Sequence, residues 1–556
     1  MPHTATAPDG RRRGDDALRR GAWDEAYEAF SASIQLEQTP EALEGLGLAS
    51  WWLDLADTVF DSRERAYRLF IERDDRTGAA RVAVWLAWDC WAFRGEHAVA
   101  NGWLQRARSH LEGLPEGREL AWLELRQGAM AILEDGEPDR AHAHATRGVR
   151  IAQTVGSIDL EMLGRSVQGL SLVAAGAVAE GMRALDEVNA AVVAGEMSDL
   201  VAIGLSCCYM IAACERVRDY DRALQWCARL KEFSAKWGLR PLFAVCRTQY
   251  ASLCIWRGLW SEAEEELSAA TDELAASRPA MAADGMVRLA ELRRRQGRLV
   301  EAADLFTRAE PHGLAMLGLA ELAFDRGDME NAAEQAARYL RRVVTRNRTD
   351  RVAGLDLLVR ARSRSGDLAG ARTGLAELET IATLTATAPL RAAASLAAGH
   401  VALAAGDPSA AQRAFEDAID LFLESGSPYE VARARIELAR ALTARGRPED
   451  AIGEAKRAID LLRELKAELE ISRAQALLDT LTKRPPPQAP SDAGLTKREI
   501  EVLRLVAADL NSQVIAERLS LSEHTVHRHM ANVFQKLSVS SRAAAVAQAA
   551  RRGLLG

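Results

Sequence analysis

Lysine is scarce in this chain. Only seven of the 71 basic residues are lysine, so positive charge is carried almost wholly by arginine. The bias runs the whole length and marks no particular surface. Aromatic residues are few at 5%, while alanine is abundant and apolar residues reach 48%. That balance argues against sheets and for closely packed helices. The seven cysteines (Cys90, Cys207, Cys208, Cys214, Cys227, Cys246, Cys254) contain no C-x-x-C and no paired histidine spacing. A disulfide framework and a zinc site are therefore not expected, and reduced thiols buried in helices are. Cys207 and Cys208 are adjacent and could act as a redox pair, but nothing near them in sequence supports it. No G-x-x-x-x-G-K-[ST] string is present to cradle phosphates, so no nucleotide triphosphatase is expected. Nor is there an uncharged apolar run of about 18 residues, so no membrane-spanning helix is expected. The opening MPHTATAPDGRRRGDD has basic residues without the apolar stretch of a secretory signal. Residues 1–14 are expected to be disordered.

What the chain does have is a period. A glycine followed five positions later by alanine appears at Gly21 (GAWDEA), Gly136, Gly258, Gly297, Gly327, Gly366, Gly406 and Gly446 (GRPEDA). Degenerate copies fall between them at Asp61, Gly95, Gly176 and Arg218. Successive copies are 30 to 42 residues apart, most of them close to 40. Such regularity is the signature of a repeat array. The glycine ends one helix in the left-handed conformation that costs it little. An acidic residue then opens a second helix near its positive end. The alanine lets the two helices approach. Ala451, Ala455, Ala458 and Ile459 form an apolar stripe on that second helix, as do Ala411, Phe415, Ala418 and Ile419.

These units resemble the tetratricopeptide repeat, whose second helix also opens after a G-x-x-x-x-A turn. The resemblance covers residues 15–482. The repeat here is longer than the usual 34 residues, and most of the consensus Trp and Pro landmarks are missing. It implies an all-α fold: an α-solenoid of about twelve helix pairs, with a groove for a peptide, protein or small-molecule effector. All twelve tryptophans lie before residue 261. Two readings stand for them, an aromatic ligand pocket or helix–helix packing.

The stretch LTKRPPPQAPSDAG breaks the period. Three consecutive prolines cannot continue a helix, so residues 483–493 are read as a linker. From Gly494 onwards nine basic residues face five acidic ones, whereas the whole chain carries a formal charge of -8. The acidity belongs to the repeats and hides a basic tail. In that tail Thr496 and Glu499 spell a capping box before a first helix. A short second helix runs over 511–518. Ser522 caps a third, and a fourth covers about 541–552. On the third helix Val526, Met530, Val533 and Leu537 form an inward stripe. Arg528 and Gln535 project opposite it. A short helix, a tight turn and a longer helix with a basic polar face give helix-turn-helix geometry.

The motifs LTKREIEVLRLVA (495–507), IAERLSLSEHTV (515–526), His529 and KLSVSSR (536–542) resemble the LuxR/NarL/GerE-type DNA-binding domain. The resemblance spans 494–556. It implies that His527, Arg528 and Ala531 read base edges, and that Thr525, His529, Asn532 and Lys536, with Asn511 and Ser522, meet phosphates or brace the helix. His527 stands where the family most often has lysine, Val514 replaces the usual glutamate, and Asp509 and Ser538 replace common glycines. The partners implied are promoter DNA in double-stranded form, a second copy joined through the last helix 541–552, and RNA polymerase. A cytoplasmic bacterial regulator is the setting, with no membrane partner. Large members of the family can carry a triphosphatase module before their repeats, but here repeats begin by about residue 20. No receiver-like start with clustered acids is legible either. The expected function is therefore transcriptional regulation rather than catalysis, with no cofactor and no metal. The competing expectation is an interaction scaffold whose tail serves for tethering or partner contact.

Overall fold

The computed structural model describes residues 7–237, 240–310, 312–483, 495–551 and 554–555. Among these residues there are twenty-nine α-helices, one short π-helical turn (Cys90–Arg94) and no strand. The first twenty-four helices are twelve antiparallel pairs, and a lone helix, Glu468–Lys483, follows them. Four short helices form the tail. The expected linker 483–493 lies outside the described residues apart from Lys483, the last residue of that lone helix.

The chain divides into two compact units. One comprises residues 1–361 with 377–390, and the other 362–376 with 391–556. Within each unit a helix packs on its neighbours in sequence.

The repeat motif has the conformation that its residues dictate. Gly21, Gly136, Gly258, Gly297, Gly327, Gly366, Gly406 and Gly446 all have φ between 62° and 88°. Each lies between the two helices of a pair. The alanines five positions on (Ala26, Ala141, Ala263, Ala302, Ala332, Ala371, Ala411, Ala451) are all fully buried. Where an aspartate follows the glycine it caps the second helix: Asp328 accepts from the Asn331 amide at 3.2 Å, and Asp407 from Ala410 at 2.9 Å. Backbones approach most closely at Gly169 and Gly181, where a Cβ on Gly169 would sit 2.9 Å from the Gly181 carbonyl oxygen.

Two features depart from the expectations drawn from the sequence. Residues 7–14, expected to be disordered, belong to the helix Ala7–Arg19. Gly14 gives the room there, because the ring of Phe30 from the next helix fills the place of its missing side chain. Asp61 is not a turn but lies inside the helix Ala56–Glu72. The turn comes earlier, at Asp54, which takes φ 58° without being glycine. The helix Leu200–Val217 is long and apolar enough by composition to cross a membrane, but Glu215 and Arg216 end its uncharged run and most of it is buried in the first unit.

The tryptophans of the first unit pack on each other and on buried arginines. Trp51 and Trp52 meet edge to face at 4.9 Å, and Trp23 stacks on Trp52 at 4.8 Å. Arg126 lies over Trp88 at 4.0 Å and Trp122 at 5.1 Å. Burial pulls its guanidinium down to about 10. Arg63 pairs with the fully buried Asp89, and Arg278 pairs with Asp54 at 2.6 Å while lying over Trp51 at 4.3 Å. Cys208 and Cys246 bring their sulfurs to 2.8 Å as free thiols.

Candidate nucleic-acid interface

The tail builds its own small core. Its helices are Lys497–Ala507, Ser512–Leu519, Glu523–Leu537 and Arg542–Arg551. The first is fixed by a complete capping box. The Glu499 amide donates to Thr496 Oγ1 at 3.2 Å, and the Thr496 amide donates to Glu499 Oε2 at 2.7 Å. Asn511 caps the second helix by accepting from the Val514 amide at 2.9 Å. Ser520 then takes a left-handed φ of 52°, which turns the chain sharply. Ser522 caps the third helix, accepting from the Thr525 amide at 3.2 Å. Its hydroxyl also lies 3.0 Å from Thr525 Oγ1.

The stripe Val526, Met530, Val533 and Leu537 is buried against Leu503, Val506, Ile515, Leu521, Ala545 and Ala549. This sets which side chains the third helix turns outward. His527, Ala531 and Gln535 are exposed, and Asn532 is half-buried. Thr525 is fully buried. Lys536 donates from Nζ to both carboxylate oxygens of Glu499, at 2.8 and 3.0 Å, tying the third helix to the first. His529 is 1% exposed, and neither ring nitrogen has a hydrogen-bond partner among the described residues. Burial and then the nearby Arg528, Arg447, Arg498 and Lys536 hold it down to about 3, so the ring is neutral.

Arg528 points away from the tail's core yet is only 8% exposed. What covers it comes from the last helix pairs of the same unit. Its Nη1 donates to Glu454 Oε1 at 2.5 Å, and its Nη2 lies 3.6 Å from Glu416 Oε1. Both glutamates are 0% exposed. Glu454 lies on the helix Pro448–Leu465 and Glu416 on the helix Pro408–Glu424. Burial pushes Glu454 up, but Arg528, Arg435 and Arg457 outweigh it and leave its carboxyl below the ordinary range. The guanidinium gains correspondingly: burial opposes its charge, and Glu454 and Glu416 more than restore it. One turn back, His524 Nδ1 lies 3.1 Å from Asp420 Oδ1. Burial, with Arg435 and Arg528, holds His524 down to about 4. Burial, with Asp417 and Glu416, pushes Asp420 up to about 7.

The family resemblance implies that His527, Arg528 and Ala531 together read base edges. In the structure His527 and Ala531 share an exposed face, whereas Arg528 is enclosed by acids. Glu416, Asp420 and Glu454 belong to no motif in the sequence. Their only local signal is an excess of acids on two neighbouring repeats.

Comparisons with known proteins fall on the same two regions. Residues 493–549 match the family described as bacterial regulatory proteins, luxR family. Residues 396–465 match the tetratricopeptide repeat. Spore germination protein GerE of Bacillus subtilis is 46% identical over 61 residues, which is 11% of this chain and 82% of that protein. Transcriptional regulatory protein DegU of Brevibacillus brevis is 41% identical over 59 residues, 11% of this chain and a quarter (25%) of its own length. The solved APC/C hetero-tetramer Cut9-Hcn1 aligns over 85% of this chain and 96% of its own, with a TM-score of 0.46 and 16% identity. By the identity and coverage of its tail, the chain belongs to the luxR family of bacterial regulatory proteins.

Proposed function

We propose that this protein is a DNA-binding transcriptional regulator whose helix Glu523–Leu537 enters the major groove. The observation that carries the reading is the division of that helix. Its apolar stripe is locked in the tail's core, and its opposite face holds His527, Arg528, Ala531 and Gln535. Arg528 would bond guanine O6 and N7 as a fork, and Ala531 would meet a thymine methyl. His527 would donate from a ring nitrogen. Asn511, Ser522, Thr525, His529, Asn532 and Lys536 would position the helix, through phosphates or through the caps and contacts described above. The last helix would pair two copies over two half-sites. The repeat region would receive a peptide, protein or small-molecule signal, and residues 483–493 would join it to the tail.

The test is a protection footprint with the full-length protein on DNA upstream of its own coding region, at moderate salt with excess competitor. A protected half-site or palindrome is the expected result. Equal affinity for this DNA and for competitor would reject sequence-specific regulation and favour the scaffold reading.

A further inference from the structure

Arg126, on the helix Arg118–Leu133, is a buried cation with no acceptor. It is 3% exposed, and among the described residues neither Nε nor Nη2 has a hydrogen-bond partner. The other buried arginines of its aromatic cluster are matched: Arg63 pairs with Asp89 and Arg278 with Asp54. Asp89 does not serve Arg126 as well, because one of its oxygens takes Arg63 and the other makes no hydrogen bond. A guanidinium kept from water without an acceptor is unfavourable, and such an unmet group in a folded chain calls for a cause.

What Arg126 does have is rings. Its guanidinium carbon lies 4.0 Å from the centre of Trp88, 5.1 Å from Trp122 and 5.4 Å from Trp85. The indoles hold it as a cation over their faces and supply no lone pair for its N–H edge. That open edge has a defined shape. Nε and Nη2 are the two nitrogens with which this chain grips carboxylates elsewhere: Arg81 holds Glu44 at 2.8 and 2.7 Å, and Arg288 holds Glu215 at 2.9 and 2.8 Å. Trp85 and Trp122 are only half-buried, so part of each indole is free near the guanidinium. Trp51, edge-on to Trp85 at 6.2 Å, adds a second buried donor without an acceptor, its Nε1. Aromatic walls with a few unmet donors are the composition of a small-molecule site.

We propose that Arg126 anchors a binding site in the repeat region for a small aromatic carboxylate, whose two oxygens take Nε and Nη2 and whose ring lies against Trp85 and Trp122. Between the two readings of the tryptophans, these three indoles then build a ligand pocket, while Trp23 and Trp52 pack helices. The proposal deepens the reading of the repeats as the receiver of a small-molecule signal and rests on it for the role of the site.

The test uses the full chain, with phenylacetate as the probe. Phenylacetate should raise the unfolding midpoint and shift tryptophan emission with a saturable dependence on its concentration. Phenylacetamide has the ring without the charge, and acetate the charge without the ring. Each should bind about tenfold more weakly or worse. Arg126→Lys keeps the charge and loses the fork, so it too should bind phenylacetate about tenfold more weakly. Arg126→Met removes the unmet charge. Without ligand it should melt no lower than the wild type, and phenylacetate should leave it unmoved. If the methionine variant does not fold, the lysine variant and the wild-type titrations still decide. No saturable binding of phenylacetate to the wild type overturns the proposal, as does equal binding of phenylacetamide or full binding by Arg126→Lys. Tighter binding of phenyl phosphate than of phenylacetate overturns the carboxylate assignment. Binding that depends on Arg126 yet leaves the affinity for the footprinted DNA unchanged would instead reject signal reception by the repeats, with the site left standing.

Discussion

Lys536 and Glu499 are bound across 37 positions, the ammonium at 2.8 and 3.0 Å from the two oxygens of a carboxylate that is 2% exposed. That carboxylate already closes the capping box with Thr496. Removing the lysine leaves a buried charge short of a partner. Lys536→Met should therefore destabilise the tail by roughly 1–3 kcal/mol. Denaturant titration followed by amide exchange in residues 497–551 measures it. If stability is unchanged while DNA binding weakens evenly over all sequences, Lys536 acts on phosphates and not as a brace.

His529 makes the tail sensitive to acid. In the unfolded chain its imidazole takes a proton near pH 6.5, while in the fold it stays neutral down to about 3. Between those values the unfolded state binds more protons, so stability falls as pH drops from about 6.5 towards 3 and is fully present above. His529→Leu should flatten that decline. A variant whose unfolding midpoint keeps the wild-type pH dependence would show that other groups cause it.

The repeats depend on glycines that are not turns. Leu185 lies where a side chain on Gly169 would be, with Cγ 2.7 Å from the ideal Cβ, and Gly181 presents backbone from the facing helix. Phe415 occupies the same place over Gly399, as does Phe30 over Gly14. Gly169→Ala should cost about 1–3 kcal/mol through overpacking. Gly453→Ala, in a helix with open space at that position, should instead be neutral or stabilising. Thermal melts of the two variants should move in opposite directions or differ clearly in size.

Much of this architecture was legible because its causes are local. A left-handed glycine and an alanine five positions on report a helix pair without knowledge of the rest of the chain. Thr496 and Glu499 report a cap in the same way. Where another residue takes the glycine's part, at Asp54, the sequence pattern points instead to Asp61, inside the following helix. The helix over 7–14 was missed because a polar, arginine-rich segment is held by one ring, Phe30, from the next helix. Arg528 shows the deeper limit. Its neighbours in sequence correctly turn it away from the tail's core, but Glu454 lies 74 positions earlier and no local rule links them.

The most direct measurement is the binding of Arg528→Ala to its footprinted site and to competitor DNA, at several salt concentrations. Base reading predicts that affinity for the site falls relative to competitor by roughly 1–3 kcal/mol, with the loss of preference confined to one base pair of each half-site. Because the variant also releases Glu416 and Glu454, the free helix should exchange faster. Equal loss on site and competitor would contradict the assignment of Arg528 to a base.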